Sequence, residues 1–333
     1  MKKIEKSYGH LIKDINQVYK TPGTQSYGVV CVKENENRIN DGDQQTYRSV
    51  VGSLLQLVKY SRPDIANAVR ELSKCMDGAS PAAFKELKRL LKFVIGTKDY
   101  GFKINPIINK NDLEWEVTVF SDSDWGGDKD DRHSVSGYVI FLLEVPILWR
   151  SKLQRTVSLS SSEAEYYALS EAAKDVKFIA QILSSVGIKY KQPIIINVDN
   201  VGAIFMAENA SANGKTKHID IRYHYVREFN MDGFIKILFV KSADNTADVF
   251  TKNVSSEIYN KHKDDFIFRK EVLMDCDIEG RVLEELGSLV LDNPILYNME
   301  QGKCASNNIP GSRVRGDDVE AYDVRYANSN YVV

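Results

Sequence analysis

Three strand-type runs follow one another between residues 117 and 151, and a long helical period then fills residues 163–186. The runs at 117–122 (VTVFSD), 136–143 and 147–151 are rich in β-branched and aromatic side chains. Pro146 confines the third to a sheet edge or a strand start, because proline has no N–H to give to a neighbour. Gly187 marks the end of the long helix. A strand at 194–199, a short helix, a helix over 218–230, a strand at 234–240 and a last short helix near Asp248 complete the series. The order β-β-β-α-β-α-α-β-α leaves few folds open. Three strands in quick succession suit an antiparallel meander, and helical crossovers suit parallel additions to the same sheet. The expected class is α/β: a mixed five-stranded sheet with helices on both faces.

The chain before residue 105 follows a different period. Val51, Leu54, Leu55 and Val58 recur at helical spacing, and Pro63 ends that helix near Tyr60. Asp64 is placed to cap a second helix carrying Ile65, Val69 and Leu72. Ser80-Pro81 opens a third, striped by Leu87, Leu90, Leu91 and Val94 and stopped at Gly96. Its face of Lys85, Lys88, Arg89 and Lys92 is either a solvated helix face or one that rests on a nucleic-acid backbone. Residues 1–46 are weakly patterned: a short helix at 11–19, a strand at 27–32 and a polar loop at 34–45 are the expectations. Residues 105–111 read as a linker. Beyond about 256 the signal fades to one helix at 277–291 and an Asn-, Ser-, Gly- and Asp-rich end that reads as partly disordered.

Composition narrows the partners. A formal net charge of -2 means that any basic surface is local. Cys31, Cys75, Cys276 and Cys304 form no CxxC pair, which argues against a disulfide framework or zinc site and suits a reducing compartment. No apolar run approaches the roughly 18 residues of a membrane span, and the N-terminus lacks the apolar core of a signal peptide.

The chemistry lies in acids at strand ends and helix starts. Asp122 ends the first strand, with Asp124 two residues on and on the same face. Asp199 ends an almost wholly apolar strand, where a bare carboxylate is costly unless paired or metal-bound. Glu165 heads the stripe Glu165, Ala168, Ala172, Val176, Ile179, Leu183, whereas Glu163 points round the helix. Each acid also has a plainer explanation. Ser162 and Glu165 stand in a capping-box relation, Asp199 can cap the helix at Val201, and Asp248 can serve as a first-turn acid favoured by the helix dipole. Several carboxylates from strand ends and helix starts are also what a divalent cation with hard oxygen ligands requires. His218 and His224 do not converge on one side of a helix, and Asp220 with His224 suits a surface pair.

The motifs YRSVVGSLLQL (47–57), SRPDIANAV (61–69), GTKDYG (96–101), FSDSDWGGD (120–128), SVSGYV (134–139), SLSSSEAEYYALS (158–170), VDN (198–200), KHIDIRYH (217–224) and ADVFTK (247–252) resemble the C-terminal part of a copia-type retrotransposon Pol polyprotein. They stand in that family's order. The resemblance implies that residues 47–104 are the helical thumb or connection end of a reverse transcriptase, after a poorly defined remnant at 1–46. It implies a ribonuclease H-like domain at 113–255 and an unmatched tail at 256–333. Asp122, Glu165, Asp199 and Asp248 fall on the family's catalytic and metal-binding acids. The implied reaction is hydrolysis of the RNA strand of an RNA–DNA hybrid by two Mg²⁺ ions, or Mn²⁺, about 4 Å apart. Asp122 would bridge both ions. Lys and Arg near 152–155 and 215–222 are candidate backbone contacts.

Implied partners are the hybrid and the missing reverse-transcriptase part, in a cytoplasmic virus-like particle or the nucleus, with no membrane. The polymerase Y-x-D-D hairpin is absent, so polymerisation is not expected. The glycines usual in the hairpin near Leu143-Glu144-Val145 are missing, as is a histidine between Lys241 and Ala247. A truncated or decayed remnant that folds and binds nucleic acid without catalysis is the alternative.

Overall fold

A computed structural model of the chain describes residues 2–12, 19–25, 37–102, 104, 106–107, 114–128, 130–209 and 217–269, with backbone alone at 2, 217–223 and 269. The elements are α1 (Lys2–Tyr8), α2 (Asp41–Tyr60), α3 (Ala66–Ser73), α4 (Pro81–Gly96), β1 (Tyr100–Phe102), β2 (Val117–Asp124), β3 (Val135–Leu142), β4 (Val145–Leu153), α5 (Ser161–Ser185), β5 (Ile194–Val198), α6 (Val201–Glu208), α7 (Lys217–Met231), β6 (Ile235–Phe239), α8 (Asp248–Thr251), α9 (Ser256–His262) and β7 (Ile267–Arg269). The expected strand at 27–32, the helix at 277–291, the loose C-terminal end and most of the helix at 11–19 and of the linker lie outside the described residues.

The five-stranded sheet runs β4-β3-β2-β5-β6. β2 pairs antiparallel with β3, and β3 with β4, while β5 and β6 are added in parallel. This is the mixed five-stranded sheet expected from the element order, and the ribonuclease H-like arrangement that the resemblance implied. Pro146 sits near the start of edge strand β4, opposite a register shift at Ile140/Phe141. That position spares the sheet an internal missing donor. Leu143 and Glu144 join β3 to β4 with φ of 52° and 65°. Such a two-residue turn favours Asn-Gly, so this hairpin keeps a tight turn at the cost of left-handed backbone in two side-chain-bearing residues. A second, two-stranded pair, β1 with β7, had no counterpart in the sequence reading.

Strand β3 is buried along nearly its whole length, because both faces of the sheet are covered. Tyr138 and Ile140 pack with Val117, Val119, Leu169, Ala172, Val176 and Ile196 on the α5 side. Val139 and Phe141 share the opposite core with Leu54, Val69, Leu90 and Leu91 of the N-terminal helices and with Phe250, Tyr259 and Phe266. The helical segment is therefore continuous in packing with the sheet, and all described residues belong to one unit, Met1–Arg269.

Three local expectations need correction. Helix α2 begins at Asp41, inside the stretch 34–45 expected to be a loop, because Asn40 caps it by accepting from the Asp43 amide. Asp64 does not cap α3. It is buried against Arg62, with Nε–Oδ1 at 2.8 Å, and accepts from the Tyr259 hydroxyl at 3.0 Å. The basic face of α4 neither stands free nor offers itself wholly to a backbone. Arg89 donates to the Pro22 carbonyl at 2.8 Å, Lys92 is buried, and Lys88 lies over the Phe84 ring.

Candidate metal centre

Asp122 lies near the C-terminal end of the central strand β2 and is only 2% exposed. Its neighbour β5 runs parallel, with Phe120 opposite Asn197, so the end of β5 delivers Asp199 to the same sheet edge. Helix α5 starts beside both. Asp122, Glu165 and Asp199 offer oxygens that all lie within 4.8 Å of one another.

The plainer explanations for Glu165 and Asp199 do not hold. The cap of α5 is Ser160, whose hydroxyl accepts from the Glu163 amide at 3.2 Å, while Glu163 accepts from the Leu159 amide at 2.7 Å. The capping pair is thus Ser160 and Glu163, the glutamate reaching the amide one residue before the cap, and Glu165 is left facing the sheet. One of its oxygens accepts from the Ser123 amide at 3.1 Å, and the other, Oε2, is buried with no hydrogen-bond partner. Similarly, the cap of α6 is Asn200, which accepts from the Ala203 amide at 3.0 Å. Asp199 is free of that role.

Asp248 opens α8 and is 3% exposed. Asn245 ties its approach to β2 by donating to the Ser121 carbonyl at 2.9 Å. Gly137, opposite Asp122 on β3, makes the docking of α8 possible: a Cβ there would meet Thr251 Cγ2 at 2.6 Å and Phe250 Cβ at 2.8 Å. Thr251 in turn donates to Asp122 Oδ2. Asp248 is not in the three-acid group. Its Oδ1 faces Lys252 Nζ at 3.0 Å, and the same ammonium stands 4.0 Å from Asp122 Oδ2.

The electrostatics are those of a cation site. Burial pushes the Asp122 carboxyl up to about 7, with Asp248 and Asp199 adding to the effect and Lys252 opposing it. Burial, then Asp122 and Asp199, raise Glu165 well above the ordinary range. Burial also raises Asp248. Burial pulls the Lys252 ammonium down, but Asp122 and Asp248 outweigh it and hold it above the usual lysine range. Hard oxygen donors, mutual repulsion and an unpartnered buried carboxylate oxygen all fit Mg²⁺ or Mn²⁺.

Two residues escaped the sequence reading. Gln154, buried just past β4, donates to Ser123 Oγ at 3.2 Å, Ser136 Oγ at 3.0 Å and the Ala164 carbonyl at 2.9 Å. It ties the first turn of α5 to the strands bearing and flanking Asp122. No local pattern marks it. Lys252 was visible only as the last letter of a motif, four residues after Asp248. Of the basic candidates, Lys152 and Arg155 are exposed, whereas the side chains at 215–222, including His218 and Asp220, lie outside the described residues.

No protein-family model matches the chain. It is 37% identical over 213 residues to the retrovirus-related Pol polyprotein from transposon RE1 of Arabidopsis thaliana, a match of 64% of this chain and 14% of that polyprotein. It is 36% identical over 213 residues to that of transposon RE2 of the same plant, again 64% of this chain and 14% of the relative. Among solved structures it is similar to LC11-RNase H1, isolated from compost, at 14% identity and a TM-score of 0.32, over 44% of this chain and 96% of that one. A likeness that slight carries no argument; the fold rests on the strand order and directions above. The chain spans about a seventh of the length of the polyproteins it matches. Over 64% of its length, at 36–37% identity, the chain is similar to one part of the retrotransposon Pol polyproteins.

Proposed function

We propose that this chain is a ribonuclease H-type nuclease that hydrolyses the RNA strand of RNA–DNA hybrids during reverse transcription. The observation that carries the reading is the convergence of Asp122, Glu165 and Asp199 with a buried Glu165 oxygen left unpartnered. Residues 113–255 form the nuclease in this reading, and residues 47–104 are the end of the reverse transcriptase, whose polymerase part is the expected partner. Asp122, Glu165, Asp199 and Asp248 are the residues to hold divalent metal. Bound Mg²⁺ supplies a nucleophilic water at neutral pH and charge stabilisation for the phosphoryl group and leaving oxygen.

The protein's share is arrangement. Gln154 and the Ser123 amide hold Glu165 against Asp122. Thr251 orients Asp122 through its Oδ2. Exposed Lys152 and Arg155 offer charge to a phosphate backbone. Trp125, half exposed and fixed by its indole N–H to the Ser158 carbonyl at 3.0 Å, offers an aromatic face at the rim. RNA is distinguished by its 2′-hydroxyls and helix shape rather than by sequence.

The test is cleavage of an end-labelled RNA–DNA hybrid in Mg²⁺, beside the Asp199→Asn variant. Cutting of the RNA strand alone, abolished in the variant, is the expected result. Folded wild-type protein that cuts nothing in Mg²⁺ or Mn²⁺ would replace this reading with the catalytically silent remnant.

A further inference from the structure

The four acids do not form one even cluster. Three of them meet within 4.8 Å, and among the described residues Asp248 joins no such group. What faces Asp248 is a cation that the chain itself supplies. Lys252 Nζ lies 3.0 Å from Asp248 Oδ1 and 4.0 Å from Asp122 Oδ2, bridging the two carboxylates.

The backbone on either side of this lysine is pinned. Thr251 donates to Asp122, and Asn253 accepts from Asn67 of α3 at 3.0 Å. The Lys252 side chain is 43% exposed, so its tip can leave the carboxylates without unfolding anything. A lysine suits such a role: it is a compact charge on a flexible four-carbon stem, where an arginine would hold a fixed fork. Its departure would leave Asp122 and Asp248, each at most 3% exposed, with no positive neighbour in that position. Burying such charges unpaired is unfavourable, so departure is offset either by proton uptake on the carboxylates or by arrival of another cation.

We propose that the Lys252 ammonium is a built-in cation for the Asp122–Asp248 half of the centre, which makes the two metal positions unequal. The Asp122–Glu165–Asp199 position takes the first divalent ion directly. The Asp122–Asp248 position takes the second only as Lys252 swings out. Lys252 is thus a residue that sets metal occupancy, not one that reacts. The inference rests on the metal-nuclease reading above and specifies the order in which its ions enter.

The experiment counts Mn²⁺ bound to the full chain without nucleic acid, by electron paramagnetic resonance of the free ion and by calorimetry. It compares wild type, Lys252→Met, Lys252→Gln and Asp199→Asn, each checked for folding by thermal melting. Wild type is expected to bind one ion well and a second at least ~10-fold more weakly. Lys252→Met and Lys252→Gln are expected to tighten the second ion by ~10-fold or more while moving the first by less than ~3-fold, within the range that neighbours of metal ligands exert on affinity. Asp199→Asn is expected to weaken the first ion.

If both lysine variants leave the second ion unchanged or weaker while Asp199→Asn still weakens the first, the lysine proposal is overturned and the metal centre stands. If wild type binds no ion, or Asp199→Asn binds both as wild type does, the metal reading itself fails and takes this inference with it.

Discussion

The two faces of the sheet are covered by different means. On one face, α5, α6 and α7 follow or separate the strands they cover, and the core there joins Leu169, Ala172 and Val176 to Val119, Ile140 and Ile196. On the other face lie helices that precede the whole sheet and a short segment that follows it. The first face is made by apolar periods that are local in sequence. The second adds specific buried and part-buried polar bonds over long separations. Trp149 donates to the Val58 carbonyl at 2.9 Å, Arg70 to Ser151 Oγ at 3.1 Å, and Lys74 pairs with Asp128 at 2.7 Å. Tyr259 reaches Asp64 across 195 residues. The lesson is that the helical segment is no appendage. It braces β4, the turn after β2, and the Lys252–Asn253 segment beside the acids.

The sharpest way to break this comparison is at the centre of the second face. Arg62→Ala strands the buried Asp64 carboxylate and is expected to cost about 3–5 kcal/mol in urea unfolding, whereas Arg62→Met with Asp64→Leu costs far less. If the helical segment were only loosely docked, Arg62→Ala would open α2–α4 alone and leave amide protection of β2, β3 and β5 intact in hydrogen exchange. Loss of protection in both regions together is the expected result.

On the first face, Leu169→Ala removes a fully buried side chain and is expected to cost about 2–5 kcal/mol with the same cooperative loss.

The acids between the faces yield a pH dependence of the opposite sense to an ordinary salt-bridged carboxylate. Asp122, raised to about 7, and Glu165, raised by burial and by its acidic neighbours, keep protons in the folded state that the unfolded chain releases near pH 4. The folded state binds more protons in that window, so metal-free stability falls as pH rises from about 4 through about 7, where Asp122 gives up its proton. Thermal melts in EDTA measure this slope. Asp122→Asn should flatten it, and an unchanged slope in that variant would remove Asp122 as its source.

Smaller effects sharpen the local readings. Ser160→Ala removes the cap that leaves Glu165 free and is expected to cost ~1 kcal/mol in chemical unfolding, where Ser162→Ala costs less. Glu144→Gly relieves a left-handed backbone position in the β3–β4 turn and is expected to stabilise by under ~1 kcal/mol. Any destabilisation there would show that the turn is not strained.

Much of the first face was legible before the structure. The alternating and helical periods placed every strand of the sheet in order, and the phase of α5 distinguished Glu165 from Glu163, because a helix converts spacing into direction over a few residues. The same local logic failed at Asp64, where a plausible cap became a buried ion pair. It failed again at the α4 basic face, which Pro22 and its neighbours partly cover.

The succession of strands and helices, the acids at strand ends and the helix face that carries Glu165 thus came from the chain alone, since each depends on backbone period and on contacts within one element or its neighbour. Tertiary structure decided the rest. It released Glu165 and Asp199 from capping, placed Gln154 under α5, and set Lys252 between Asp122 and Asp248. It also joined the helical segment to the sheet in one core. Those outcomes depend on which buried polar groups find partners far along the chain, and pairing of that kind leaves no periodic mark in a sequence.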